Sequence, residues 1–380
     1  MNIDSIDSTI VREIYDSLGD ELSRCVFGKR LQYSFFDSAA NLREVARLVI
    51  PEFIDKIISF TERGDNVCVY GVGNETGYPG RRLISLFDDK ITSFGVFDKQ
   101  ADTLKEISYY CGYNNDDSIS GLLKTRSIEV HKPETIRHLG NDIVMIVGTP
   151  NYQYQVEIVT ELISLGVPFN KIAFIPAQLC NLNEDYFNNA FFEYTANEVF
   201  IDCGCLNGQT SKHFLRAVHK RRGNVSKIIA FEPDEANFDI CKHNMVDVPF
   251  FEVRNFGVWN EKTTLKFSAG DGGASAISST GDTEINTVTL NEALAGERVT
   301  FIKMDIEGAE LNALKGAENI IRLNSPKLAI SVYHKSDDII RIPEFILSLS
   351  LDYKLFLRHQ TGFYGDTILY AAPKKCTQSL

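Results

Sequence analysis

The chain has 380 residues, of which 44% are hydrophobic and 24% charged. This length predicts two domains, each able to bury a core of its own. The net charge of −12 argues against nucleic acid as the main partner, because phosphate binding needs a basic surface. No apolar run approaches the roughly 20 residues of a membrane span. The acidic start of the chain does not resemble a signal peptide, and the eight scattered cysteines are typical of reduced thiols, so we expect a cytoplasmic protein.

The first half predicts helices followed by a parallel sheet. Residues 1–62 have the apolar periodicity of helices, and an α/β domain is predicted over 63–183. Strands are expected at 66–70, 92–97, 142–147 and 171–175, and helices at 80–86 and 154–165. A glycine-rich turn, Gly71–Gly77, follows the first strand with one residue more than the dinucleotide-binding pattern. This half therefore predicts either a nucleotide pocket or a non-catalytic scaffold.

The second half, residues 184–380, predicts a doubly wound α/β sheet. Strands are expected at 199–203, 227–231, 251–255, 299–305, 327–333, 353–358 and 367–371. Helices are expected at 210–219, 236–244, 309–323 and 339–349. The last two strands are joined by a turn that contains Thr361-Gly362, which favours an antiparallel pair at the end of the sheet.

A glycine turn after the first of these strands indicates a nucleoside ligand. Asp202, Gly204 and Gly208 form the pattern D-x-G-x-x-x-G, and the glycines permit close approach of the backbone to a ligand. Glu232 ends the next strand, where a ribose needs an acceptor. Each feature alone is also compatible with an ordinary turn or a surface carboxylate, but together they favour a nucleoside cofactor.

The charge of this turn distinguishes between two cofactors. A nicotinamide dinucleotide requires the spacing G-x-G-x-x-G, and Asp202 would repel its diphosphate. S-adenosylmethionine has no phosphate and carries a sulfonium and an ammonium group, which favour nearby carboxylates. We therefore predict S-adenosylmethionine. An NAD(P)-dependent oxidoreductase and a nucleotide-sugar-binding module remain alternatives.

The fourth and fifth strands predict the reacting side of the site. Asp305 ends the fourth strand, where ligands of open α/β sheets bind. Glu307 and Glu310 open the following helix, and helix capping is the simplest role for Glu310. His334 follows the fifth strand and is predicted to be either a general base or a metal ligand. In the favoured mechanism, His334 takes the proton of an acceptor hydroxyl and Asp305 aids orientation.

Several motifs resemble the FkbM family of S-adenosylmethionine-dependent methyltransferases. The resemblance covers residues 197–373 and is carried by 200–204, Asn207-Gly208, 231–233, 255–258, 302–310, 314–317, 333–335 and Arg358-His359. It implies a class I methyltransferase sheet and O-methylation of a sugar, a glycoconjugate precursor or a small natural product. The cofactor-binding set is then Asp202, Gly204, Asn207, Gly208, Glu232, Asn255, Gly257 and Asp305.

Three positions depart from the family pattern. Cys203 and Cys205 stand where small residues or alanine are more frequent, and Ser331 stands where many members have a glutamate. The use of a metal therefore stays open, as do the acceptor and the oligomeric state. The glycine-rich loop 270–281 is predicted to be either a lid over the substrate or an unstructured tip. The first half resembles the Rossmann-type domain that precedes several sugar-modifying enzymes.

Overall fold

In a computed structural model, the structure describes residues 7–75, 78–113, 123–140, 142–180, 186–187, 189–268, 276–277, 281 and 283–374. The chain opens with four helices: α1 (Ser8–Ser17), α2 (Glu21–Phe35), α3 (Ala39–Ala46) and α4 (Pro51–Glu62). The helical character predicted for this segment agrees with them. α4 starts at Pro51 because proline lacks an N–H and suits the first helical position.

The next elements form a four-stranded parallel sheet and a separate hairpin. The strands are β1 (Asn66–Tyr70), β2 (Ile91–Phe97), β3 (Glu106–Tyr113), β4 (Leu123–Glu129), β5 (Ile143–Val147) and β6 (Ile172–Phe174). The helices are α5 (Pro79–Phe87), α6 (Ala101–Leu104), α7 (Tyr152–Ser164) and α8 (Ala177–Cys180). The sheet has the order β2-β1-β5-β6, and β3 pairs with β4 antiparallel. The sequence did not predict this hairpin, because its partners are set by pairing rather than by a hydrophobic period.

The second half contains a seven-stranded sheet and a small four-stranded sheet. Its strands are β7 (Glu198–Cys203), β8 (Val225–Phe231), β9 (Phe251–Arg254), β10 (Gly257–Val258), β11 (Thr264–Ser268), β12 (Ala276–Ile277), β13 (Thr283–Val288), β14 (Phe301–Met304), β15 (Lys327–Ser331), β16 (Tyr353–His359) and β17 (Thr367–Pro373). The large sheet has the order β16-β17-β15-β14-β7-β8-β9 and the small one β10-β13-β11-β12. Only β17 runs antiparallel to its neighbours in the large sheet, so the predicted antiparallel end is confirmed.

Six helices connect these strands. They are α9 (Gln209–Lys220), α10 (Glu235–Asn244), α11 (Leu290–Ala293), α12 (Glu310–Lys315), α13 (Glu318–Asn324) and α14 (Asp338–Ser348). The prediction of a single helix over 309–323 is wrong, because the helix is interrupted at Gly316 and continues as a second helix from Glu318. There the Gly316 carbonyl accepts the Asn291 N–H, and the Ile320 N–H donates to the Asn291 side chain at 3.0 Å. Asn291 thereby provides hydrogen-bond partners for the Gly316 carbonyl and the Ile320 N–H, which would bond to each other in a continuous helix.

The opening helices pack on the large sheet of the second half. Ile14, Leu18 and Phe27 are buried in the same core as β7, β14 and β15. The Gly19 N–H donates to the Leu355 carbonyl at 2.7 Å. This packing ties the start of the chain to the edge strand β16. In the part of the chain that the structure describes, no helix has the length and apolar character needed to cross a membrane.

Candidate active site

The turn after β7 lies directly against the end of β14. Gly204 and Gly208 have φ angles of 77° and 83°, which L-residues rarely adopt. A Cβ atom on Gly204 would overlap the carbonyl oxygen of Asp305. Glycine at position 204 is therefore required twice, once by the backbone angle and once by the approach of Asp305.

Asp202 is fully buried beneath this turn. Its carboxylate accepts a hydrogen bond from the Ser211 hydroxyl at 2.7 Å and lies 3.3 Å from the Lys303 ammonium. The same ammonium donates to the Gly204 carbonyl at 2.7 Å. Burial raises the pKa of Asp202, while Lys303 and Ser211 oppose that shift. Asp202 thus fixes the turn through Lys303. Its predicted contact with the methionine end of a cofactor stays a prediction.

Glu232 holds the turn from the other side. Its carboxylate accepts the Leu206 N–H at 2.9 Å and the Asp234 N–H at 3.1 Å. Burial raises the pKa of Glu232 to about 7, although these N–H groups favour the charged form. The Asn255 amide donates to the Glu232 carbonyl at 3.0 Å. The structure therefore brings Glu232 and Asn255 to the same end of the sheet as the turn.

The other predicted cofactor residues occupy two places. The Asn207 side chain accepts the Gln209 N–H at 3.1 Å at the start of α9, and Gly208 precedes that helix. Gly257 lies in β10, paired with Thr287 of the small sheet. Asn207 and Gly208 therefore lie in the turn before α9, whereas Gly257 lies in β10, which follows Asn255 in the chain. Loop 270–281 lies outside the described residues except for 276–277 and 281.

Asp305 forms the centre of the reacting side. It follows β14 and accepts hydrogen bonds from the hydroxyls of Tyr186 at 2.7 Å and Tyr333 at 3.2 Å. His334 lies beside it, with Nε2 3.4 Å from its Oδ1. The sequence predicted the neighbourhood of Asp305 and His334, since both follow parallel strands. It missed the two tyrosines, whose contacts depend on packing.

His334 is surrounded by carboxylates. Its Nδ1 lies 3.0 Å from Glu310 and its Nε2 3.6 Å from Glu307. Burial lowers the pKa of His334, but Glu310 and Glu307 outweigh burial and raise this pKa well above its ordinary value. Glu310 also accepts the Ile306 N–H at 2.8 Å, which lies in the turn before α12, and the N-cap residue Ala309 has no side-chain capping bond. The capping role predicted for Glu310 is therefore wrong, and Glu310 holds the turn and the histidine together.

The first half of the chain contacts the reacting side through its hairpin. The Tyr113 hydroxyl, at the end of β3, donates to the Tyr333 carbonyl at 3.1 Å. Arg30 of α2 is fully buried and donates to the Tyr113 hydroxyl at 2.5 Å and to the Tyr364 carbonyl at 2.6 Å. Nothing local in the sequence signals these contacts, because they join positions more than 80 residues apart.

Side chains of the first half itself occupy the space beside its glycine turn. Gly71 and Gly73 have positive φ angles, and the Tyr78 ring packs where a Cβ of Gly73 would lie. The Val72 N–H donates to Asp98 at 3.0 Å, and Arg81 donates to the Gly73 carbonyl at 2.7 Å. These internal contacts favour the scaffold interpretation of this turn. Gly77 lies outside the described residues.

The strand order of the large sheet, with one antiparallel strand and a ligand-type turn at the end of β7, defines a class I methyltransferase fold. Residues 202–355 match the family model described as the methyltransferase FkbM domain. The chain is therefore a methyltransferase, and its residues 202–355 are similar to the FkbM methyltransferase domain. No curated protein sequence matches it.

Several solved structures match the chain. Methyltransferase FkbM from Methylobacillus flagellatus KT is 18% identical, with a TM-score of 0.50, and the match covers 90% of this chain and 99% of that one. An rRNA methylase from Streptococcus thermophilus is 13% identical, with a TM-score of 0.33 and coverage of 51% and 96%. Fibrillarin from Aeropyrum pernix, solved with natively bound S-adenosyl-L-methionine, is 11% identical, with a TM-score of 0.31 and coverage of 47% and 67%.

Proposed function

We propose that this protein transfers a methyl group from S-adenosylmethionine to a hydroxyl of a sugar, a glycoconjugate precursor or another small molecule. The observation that carries the proposal is the contact between the Gly204 turn and the backbone of Asp305. A cofactor held on this turn has its reactive end next to Asp305 and His334. We further propose that the chain divides into residues 1–62, 63–183 and 184–380. We also propose a cytoplasmic location, which the free thiols of Cys203 and Cys205 support.

The residues around the turn suit S-adenosylmethionine better than a dinucleotide. Asp202, Glu232 and Asp305 place three carboxylates at the ends of neighbouring strands. Glu232 and Asp305 disfavour a diphosphate and favour the cationic methionine end of S-adenosylmethionine. Asp202, fully buried and paired with Lys303, contributes through the turn that it holds. Glu232 is the acceptor for the ribose hydroxyls, and Gly204 and Gly208 permit the backbone to approach the ligand. Asn207, Asn255 and Gly257 complete the proposed cofactor set.

The chain's own residues orient the acceptor for a direct displacement. When bound, the cofactor supplies the methyl group, as the acceptor oxygen forms a C–O bond and the C–S electron pair passes to sulfur. Asp305, fixed by Tyr186 and Tyr333, orients the hydroxyl, and His334 lies beside Asp305. Positioning of this kind contributes up to roughly 7–11 kcal/mol in well-oriented reactions.

Binding titrations test the cofactor. We expect S-adenosylmethionine to bind to the full chain in titration calorimetry, and NAD and a panel of nucleotide sugars not to bind. Incubation of cell extract with methyl-labelled cofactor should then transfer label to a small molecule with a hydroxyl group, identified by mass spectrometry. Binding of NAD without binding of S-adenosylmethionine would overturn the proposal.

Substitution of His334 tests the reacting side. We expect His334→Gln and Asp305→Asn to lower turnover by about 10²–10⁴-fold, the range associated with positioned acid–base groups. The affinity for S-adenosylmethionine should change much less in His334→Gln, because His334 lies on the acceptor side. Glu318→Gln on α13, which changes an exposed ion pair with Arg322, is the matched control. Full turnover in a folded His334→Gln variant would exclude the assigned role.

The raised pKa of Glu232 predicts a pH-dependent affinity for the cofactor. With a pKa of about 7, the carboxyl is mostly protonated at pH 6 and mostly charged at pH 8. If only the charged form accepts both ribose hydroxyls, the dissociation constant at pH 6 should exceed that at pH 8 by up to about tenfold. Calorimetry at both pH values measures this ratio. In Glu232→Gln the ratio of the two dissociation constants should fall, and only the titration of the ligand's own amino group should still contribute to it. An unchanged ratio would contradict the role of Glu232 as acceptor for the ribose hydroxyls.

A further inference from the structure

Three side chains of the ligand type meet at the carboxyl ends of β14 and β15. Asp305, Glu307 and His334 each offer one donor atom, and these atoms all lie within 4.8 Å of one another. From this geometry we propose that the three residues bind a divalent metal ion, to which the acceptor hydroxyl coordinates. The inference deepens the proposed function and rests on it, because it assigns a chemical role to the same acceptor side.

The histidine provides an observation that the acidic residues alone do not. His334 is only 4% exposed, and neither of its ring nitrogens forms a hydrogen bond of good geometry with a described residue. Nε2 lies 3.4 Å from an oxygen of Asp305 and 3.6 Å from an oxygen of Glu307. A buried polar atom without a hydrogen bond is costly. A metal ion between Nε2 and the two carboxylates would satisfy it.

The local charge favours a cation of more than one unit. Asp305, Glu307 and Glu310 surround one imidazole, so three carboxylates face a ring that carries at most one positive charge. Buried charges require partners. A divalent ion neutralises the excess and allows the ring to act as a neutral ligand.

Two of the ligands already have the outer partners that metal sites use. Metal-bound histidines commonly donate their second ring N–H to a carboxylate, which fixes the tautomer and the ring. Glu310 lies 3.0 Å from Nδ1, where such a carboxylate stands in metal sites. The Tyr186 hydroxyl donates to Oδ2 of Asp305, and Oδ1, which accepts the Tyr333 hydroxyl, lies 3.4 Å from His334 Nε2. Glu310 and Tyr186 are thus positioning residues.

The backbone presents the third ligand at a conformational cost. Glu307 has a φ of 53°, a value that non-glycine residues rarely adopt, and Gly308 follows with a φ of 89°. Such strain persists at sites where the surrounding structure imposes it. Here it turns the Glu307 carboxylate towards His334.

Two oxygens and one nitrogen leave coordination positions for water and for the acceptor. This mixed set suits an ion such as Mn²⁺, since carboxylates favour the harder ions and imidazole binds transition metals. A coordinated hydroxyl has a lowered pKa and loses its proton to solvent. The oxygen then forms the C–O bond while the C–S bond breaks and its electron pair stays on sulfur. In this state His334 acts as a ligand and not as the proton acceptor.

Binding of Mn²⁺ alone tests the site. We expect the full chain, stripped with a chelator, to bind one Mn²⁺ with loss of the free-ion electron paramagnetic resonance signal. Glu307→Gln and His334→Gln should weaken binding by at least about 100-fold, and Glu310→Gln by about 10–100-fold, as for other outer partners. Glu318→Gln should leave binding unchanged. No saturable binding by the wild type, or equal binding by Glu307→Gln, would overturn the site.

The cofactor titration separates this inference from the proposed function. S-adenosylmethionine should bind in the presence of the chelator, because the ion lies on the acceptor side, whereas methyl transfer should require Mn²⁺. Full methyl transfer with the chelator present would overturn the metal site and leave the methyltransferase assignment intact. Saturable Mn²⁺ binding at these residues without any S-adenosylmethionine binding would retain the site and overturn the assigned cofactor.

Discussion

Replacing Lys303 with methionine is expected to lower the free energy of unfolding by about 3–5 kcal/mol, the usual cost of removing one partner from a buried ion pair. The substitution leaves Asp202 buried with Ser211 as its remaining hydrogen-bond donor. It also removes the ammonium that holds the Gly204 carbonyl. We therefore expect S-adenosylmethionine affinity to fall together with stability. Urea denaturation and calorimetry measure the two effects.

A second buried ion pair in the same sheet provides the matched control. Glu198 and Lys327 lie 2.7 Å apart at the opposite end of the sheet, where β7 and β15 begin. Lys327→Met should destabilise the fold by a similar amount without changing the affinity for S-adenosylmethionine under native conditions. If both variants lose affinity equally, Lys303 acts through general stability and has no specific effect on the turn.

The double variant Asp202→Asn with Lys303→Met separates charge from packing. Removing both charges avoids an unpaired buried carboxylate, so part of the lost stability should return. The coupling free energy follows from a double-mutant cycle. Stability lower than that of Lys303→Met alone would show that the carboxylate of Asp202 stabilises the turn independently of the lysine.

Gly204→Ala is expected to destabilise the protein by about 2–5 kcal/mol and to abolish cofactor binding. A positive φ costs an L-residue roughly 1–2 kcal/mol. The overlap of the new Cβ with the Asp305 carbonyl forces a further backbone shift, for which overpacking costs of about 1–3 kcal/mol are typical. Because this shift separates the turn from Asp305, both the cofactor side and the acceptor side should be affected.

The variant Gly296→Ala distinguishes the cost of the positive φ angle from the cost of the overlap with Asp305. Gly296 has a φ of 84°, close to that of Gly204, but apart from its chain neighbours no heavy atom of a described residue lies within 4 Å of its Cβ position. Its substitution should therefore cost only the backbone component, about 1–2 kcal/mol, with cofactor affinity unchanged. Equal losses in both variants would mean that the contact with Asp305 contributes nothing.

The predicted strands of the two sheets agree with the structure because each has a strong local signal. Buried runs such as 199–201 and 328–330 are apolar on both faces, which is typical of parallel strands. Glycine turns and strand-end carboxylates are also local features. Since parallel strands end at one edge of a sheet, the sequence was sufficient to predict that Asp202, Glu232, Asp305 and His334 stand at the same edge.

The errors fall where one segment depends on a distant one. The interruption of the predicted 309–323 helix at Gly316 depends on hydrogen bonds with Asn291. The β3–β4 hairpin and the small sheet depend on strand pairing, which the hydrophobic periodicity of the sequence does not indicate. The sequence also gave no sign that Lys303 pairs with Asp202, since the two lie about 100 residues apart.

The sequence by itself determined the fold class and which residues stand at the ends of the strands, because periodicity and turn chemistry act over a few residues. Only the tertiary structure decided what those residues contact. It buried Asp202 against Lys303, turned the Glu307 carboxylate towards His334, and brought Tyr113 of the first half to Tyr333. These contacts arise from packing between segments far apart in the chain, and packing also sets the burial that shifts the pKa values of Glu232 and His334.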